Sequence, residues 1–117
     1  MYLTIVRIFP NADEKNTIQG FLGALLRPVC VQLGCLGCTL ARESDPDALV
    51  LIETWESEKD LVHRLQSDGY AKVLATMEMS VKKPEVFIYV VINQHGLESF
   101  ERVRMVTGAA APNVLHL

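Results

Sequence analysis

The residues best suited to chemistry fall between Ala48 and Met77: Glu53, Trp55, His63, Arg64, Asp68 and Tyr70. His63 is the one histidine of this region, since His95 and His116 lie near the C-terminus. Imidazoles as a class titrate near neutral pH, which suits His63 to take a proton from a phenol or quinol. His63 could equally be a helix histidine bonded to a carboxylate or carbonyl for structure. Trp55 and Tyr70 offer ring faces to a planar ligand, or serve as core and rim aromatics. Glu53 shares a strand face with Leu49, Leu51 and Trp55, and a carboxylate on an apolar face needs a partner. Arg7, itself among Leu3, Ile5 and Phe9, is a candidate: paired to it, Glu53 is structural; unpaired, it is an acid or base. The candidate site is therefore His63 as the catalytic base, with Trp55, Tyr70, Glu53 and Arg7 binding substrate.

Cys35-Leu36-Gly37-Cys38 has redox spacing, but a redox CxxC needs its first thiol at a helix N-terminus. Here the pair falls where a helix gives way to a strand, and residues three apart on a regular strand face opposite ways. No second CxxC or HxxxH supplies further metal ligands. Ordinary small buried residues are expected, with all three cysteines (Cys30, Cys35, Cys38) reduced, because the count is odd and no export signal precedes them. Neither a cofactor nor a metal is expected.

These residues must be positioned by a single domain, because 117 residues suffice for one and are too few for two. The formal net charge of −3, with acids and bases interspersed, lacks the basic face of a nucleic-acid binder. Apolar runs such as Leu49–Ile52 and Val86–Ile92 are too short to span a bilayer, so no membrane partner and a cytoplasmic location are expected. Half the residues are hydrophobic, rich enough to suggest apolar surface buried against a second copy.

Hydrophobic periodicity predicts a strand to Phe9, a helix over about 14–33 with Asn11 or Asp13 as cap, and Gly34 as its C-terminal glycine. Pro28 should kink or end that helix. Strands over 35–42 and 48–55 flank the Ser44–Asp47 turn. Ser57 with Asp60 forms a capping box for a helix to about Gln66, and Ser67-Asp68-Gly69 breaks it before a third helical run. A last strand over 85–92 is apolar at nearly every position, which implies burial on both faces. The order β-α-β-β-α-β is the split-βαβ, ferredoxin-like α+β arrangement, with a four-stranded antiparallel sheet and helices on one face. Residues 1–92 form this domain. Residues 93–117 are a C-terminal extension: a short helix through Leu97, Phe100 and Val103, or an edge strand crossing to a partner, then a weakly structured stretch from Gly108.

Gly34-Cys35 before a strand, Glu53-x-Trp55 at a strand end, Ser57, His63, and Ser67-Asp68-Gly69-Tyr70 together resemble the antibiotic biosynthesis monooxygenase (ABM) domain over about residues 1–92. The resemblance implies a homodimeric α+β barrel, two sheets packed face to face, with a pocket between each subunit's helices and sheet. It further implies cofactor-independent oxygenation of a small aromatic or quinol-like molecule, or a non-catalytic binding or dimerisation module of the same fold. The haem-degrading branch carries Trp and His where this chain has Arg64 and Leu74, which argues against haem degradation.

Overall fold

A computed structural model describes residues 1–105. The elements run β1 (Tyr2–Ile8), α1 (Lys15–Cys30), β2 (Cys35–Glu43), β3 (Ala48–Trp55), α2 (Glu58–Leu65), α3 (Asp68–Glu78), β4 (Glu85–Val90) and α4 (Leu97–Met105). The four strands form one antiparallel sheet in the order β2-β3-β1-β4, the ferredoxin-like α+β topology that the element order predicts. Helices α1, α2 and α3 cover one face.

Alternation decides which residues reach that covered face. Thr4, Val6 and Ile8 of β1 lie beside Glu53, Leu51 and Leu49 of β3. Their apolar members pack with Ile18, Leu22 and Leu26 of α1 and with Tyr70 and Val73 of α3. Burying each such side chain contributes about 1.5–3 kcal/mol, so this layer dominates stability. A second cluster, Val29, Trp55 and Leu61, closes the end of the sheet where β3 hands over to α2.

Helix α1 ends at Cys30 and holds Pro28 inside its last turn. Pro28 therefore neither stops the helix nor offers an N–H to the Ala24 carbonyl. Its N-cap is Glu14, which makes no side-chain capping bond, so the expected Asn11 or Asp13 cap is corrected. Gly34 lies beyond the helix end, in the turn before β2, at φ +88°. Its amide plane is tied to β3 by the Glu56 N–H, which donates to the Gly34 carbonyl at 2.9 Å.

Strand β4 departs most from expectation. It is an edge strand, and both of its faces are open in the isolated chain: Ile88 is 54% and Tyr89 46% exposed. Val86 and Ile88, which pair with the covered-face residues Val6 and Thr4 of β1, stay about half exposed, so the helices leave this edge of the sheet uncovered. Helix α4 forms where a helix or an edge strand was expected, and it buries none of its residues. The expectation for residues from Gly108 onward lies outside the described residues. Among the described residues no helix is long and apolar enough to cross a membrane.

Candidate functional site

The chemistry-bearing stretch gathers around Arg64. Ser57 caps α2: the Asp60 N–H donates to its Oγ at 3.2 Å, and that hydroxyl donates to Asp60 Oδ2 at 2.7 Å. This is the forward half of the expected capping box; Asp60 returns its bond to the Ser57 hydroxyl rather than to the Ser57 N–H. Leu61 and Arg64, three apart, then form the inner face of α2. Ser67 both closes α2 and starts α3. Its hydroxyl donates to the Arg64 carbonyl at 2.6 Å and accepts the Tyr70 N–H at 3.2 Å. One serine thus sets the turn that brings Arg64 over the Tyr70 ring, with the guanidinium 4.9 Å from its centroid.

Glu53 and Arg64 are 1% and 3% exposed. Arg64 Nε and Nη2 each donate to one Glu53 oxygen at 2.9 Å, a bidentate pair. Trp55 Nε1 adds a third bond to Glu53 Oε1 at 3.2 Å. The expected Glu53–Arg7 pair does not form, because the two lie on opposite faces of the sheet. Thr4 is the β1 neighbour of Glu53, and Arg7 has the opposite parity. Arg7 instead bridges strand edges on the open face, bonding Glu43 at 3.0 Å and Glu85 at 2.6 Å. The Glu43 hydrogen bond is the main reason its guanidinium holds its proton more tightly than usual.

The structure therefore joins Glu53, Trp55 and Tyr70 but separates Arg7 and His63 from them. Trp55 is fully buried between α1 and α2, and Tyr70 is nearly so, hence both are core residues. Burial foremost, then the Glu53 charge, pushes the Tyr70 phenol up, with Arg64 opposing. His63 is exposed, because it lies two residues past Leu61 and so faces away from the sheet. It borders none of the described grooves. Arg64, named among the residues suited to chemistry but left out of the candidate site, is the functional residue that sequence reasoning misses. The signal was present: a carboxylate on the covered face of β3 calls for a cation on the helix above it.

The cysteines also differ from expectation. Cys30, in the last turn of α1, is joined to Cys38 of β2 by a disulfide. A bulge between Cys35 and Gly37 inserts a residue, so Cys35 lies opposite Trp55 and Cys38 opposite Glu53, both on the covered face. Cys35 is the free thiol, and burial pushes its proton affinity up.

One groove reaches this cluster. It runs between the C-terminal half of α1 and the α2–α3 junction, with a volume of about 370 Å3. Leu25, Pro28 and Val29 form its apolar wall, while Arg64, Gly69 and Lys72 form the other side. Arg64 Nη1 is left over from the pairing with Glu53 and makes no hydrogen bond among the described residues. A Cβ placed on Gly69 would stand 3.7 Å from it. No carboxylate borders the groove among the described residues. A second groove, between α1 and α3 beside Phe21 and Met79, has no charged residue. A third, beside Leu3, Leu36 and Thr54, opens on the uncovered sheet face. Among the described residues no group of three His, Cys, Asp or Glu side chains could hold a metal ion.

The family model for antibiotic biosynthesis monooxygenases matches residues 1–76. The fold is similar to Rv0793 from Mycobacterium tuberculosis, with 23% identity, a TM-score of 0.72, and coverage of 81% of this chain and 98% of that one. A candidate antibiotic biosynthesis monooxygenase of Deinococcus radiodurans superposes with a TM-score of 0.74 at 13% identity, covering 83% and 98%. A protein from Methanosarcina mazei Go1 gives a TM-score of 0.67 at 20% identity, covering 76% and 91%. No curated protein matches the sequence. At these identities the structural likenesses speak for the fold, whereas the family model covers well over half of the chain. The chain belongs to the antibiotic biosynthesis monooxygenase family.

Proposed function

We propose that this protein is a cofactor-independent monooxygenase acting on a small aromatic or quinol-like substrate, seated in the groove between α1 and the α2–α3 junction. The observation that carries the reading is that this groove pairs an apolar wall with a buried, immobilised cation. Leu25, Pro28 and Val29 hold the ring, and the Arg64–Lys72 side favours the ionised form of its hydroxyl. A positive charge within about 4–6 Å lowers the pKa of an acid by about 1–3 units, enough to populate the anion of an acidic hydroxyarene near neutral pH. That anion gives an electron to dioxygen, and the resulting radical pair combines at a ring carbon. For a hydroquinone, substrate plus dioxygen yields a hydroxyquinone plus water, with one oxygen atom in each product. His63 is not used, given its outward position.

The working unit is proposed to be a homodimer. The apolar edge strand β4, open on both faces, and the unpartnered helix α4 are the surfaces a second copy would cover. Sedimentation at micromolar concentration should give a species of twice the chain mass; a stable monomer would contradict this part.

A second reading, a non-catalytic small-molecule-binding or dimerisation module, is favoured by one observation. The helix–sheet interface beneath His63 is filled by Trp55, Leu61, Glu53 and Arg64, leaving no enclosed cavity there. Oxygen consumption against a panel of hydroquinones and hydroxyarenes separates the two. The enzyme reading expects uptake by the purified protein that falls in Gly69→Val, whose methyls enter the groove. Absence of uptake with every compound leaves the binding module.

A further inference from the structure

We infer that the Arg64 end of this groove is an oxyanion seat, so that ligands bind as aromatic oxyanions and aromatic carboxylates occupy the same place as inert competitors. The inference rests on the groove being the ligand site, but its test reads binding without turnover.

Three observations support it. First, Arg64 is 3% exposed, and its Nε and Nη2 are fixed on Glu53, leaving Nη1 as an unpartnered donor on a group that cannot swing away. Nη1 is therefore the part of Arg64 open to the groove, and a donor held in place by the fold loses little freedom when a ligand bonds to it, which is what preorganisation means in binding. Second, Gly69 leaves open the space beside that nitrogen: its missing Cβ would lie 3.7 Å from Nη1 and 3.9 Å from Ser67 Oγ. The Ser67 hydroxyl itself is committed to the helix junction, so it caps the seat without competing for the ligand. Third, the charges around the groove have one sign. Glu53 neutralises Arg64 from behind, and Lys72, which has no ion-pair partner among the described residues, supplies the net positive charge at the mouth.

The opposite wall selects what carries the anion. Leu25, Pro28 and Val29 present hydrocarbon only, so a planar ring gains by burial there while a hydrated inorganic anion does not. Phosphate or sulfate is therefore a poor occupant, and an anionic group on an aromatic ring is a good one.

The test is isothermal titration of the full chain with benzoate, its neutral isostere benzamide, and inorganic phosphate. Benzoate is expected to bind about tenfold or more tightly than benzamide, the factor that one charge-assisted hydrogen bond supplies. Phosphate should bind more weakly than benzoate. Lys72→Gln should weaken benzoate several-fold. Gly69→Val should abolish the preference for benzoate, and its fold is checked independently by circular dichroism. Arg64 itself is left intact because its removal strands Glu53. Equal binding of benzoate and benzamide, no binding of either, or full benzoate affinity in Gly69→Val each overturns the inference. Oxygen uptake without benzoate selectivity would leave the oxygenase reading standing and this inference refuted. Selective benzoate binding without oxygen uptake would do the reverse.

Discussion

Replacing Arg64 with Met tests how the site is held together. The variant deletes two 2.9 Å charge-assisted hydrogen bonds and the cation over the Tyr70 ring, while Met keeps much of the side-chain volume. Glu53, 1% exposed, is left with the Trp55 indole as its only side-chain bonding partner among the described residues. Breaking a buried ion pair from one side costs about 3–5 kcal/mol, because the surviving charge stays desolvated. Against a total stability of about 5–15 kcal/mol for a domain of this kind, that is at least about a fifth. Glu53→Leu should cost a similar amount by stranding Arg64. The double variant replaces the pair by hydrocarbon of similar size and should recover to within about 1–2 kcal/mol of the wild type, since such exchanges are near neutral. Urea unfolding followed through Trp55, the only tryptophan, measures all four corners of the cycle at one protein concentration. The expected coupling is about 3 kcal/mol or more. If the single losses stay below about 1 kcal/mol and add in the double variant, the pair is not the clamp described and Arg64 is free to move.

Gly34→Ala should cost about 1–3 kcal/mol in urea unfolding, because a side chain at φ +88° is strained and its Cβ would overlap the Asp60 carboxylate that helps cap α2. An unchanged midpoint would refute that account. Reducing Cys30–Cys38, which spans eight residues, should lower stability by about 2–3 kcal/mol from loop closure alone. Intact-mass analysis after alkylation, before and after reduction, reads the thiol count, and the melting midpoint reads the loss. The Lys15 ammonium, at 2.7 Å, holds the Asp47 carboxyl below the ordinary aspartate value, chiefly through their hydrogen bond. A carboxyl held low in the folded state contributes stability that is full above its unfolded pKa and is lost as pH falls through the folded value. Lys15→Met should therefore flatten the acid side of the stability–pH curve below about pH 4, where an ordinary aspartate titrates. An unaltered slope would count against the pair. His63→Ala should change oxygen uptake by less than about twofold, as the ring faces solvent away from the groove; a loss of about tenfold, worth 1.4 kcal/mol, would restore it as the base.

The order of strands and helices was readable because alternation, caps and turn residues agreed with one another. Ala48–Trp55 opens on an apolar run that stays buried as a central strand, Ser57 and Ser67 each precede a helix, and Ser44–Asp47 makes the hairpin turn. Failures arose where a contact depends on the third dimension. The parity of Arg7 against Glu53 follows only from the β1–β3 register, which no local pattern encodes. The bulge between Cys35 and Gly37 inverts the strand rule that placed Cys35 and Cys38 on opposite faces. The apolar pattern of β4 says that it wants covering, yet not by what, and its own helices leave it open. His63 looked catalytic by residue type alone. Helical phase relative to Leu61 and Arg64 would have turned it outward and turned Arg64 in.

Labelled dioxygen tests the central claim most directly. Protein freed of metal by chelation and shown to carry no flavin is incubated with a hydroquinone that supports uptake, under oxygen-18 gas. One labelled oxygen atom is expected in the hydroxyquinone product and the other in water, with turnover suppressed by benzoate and lost in Gly69→Val. A product free of label, or hydrogen peroxide as the sole fate of the oxygen, would contradict it.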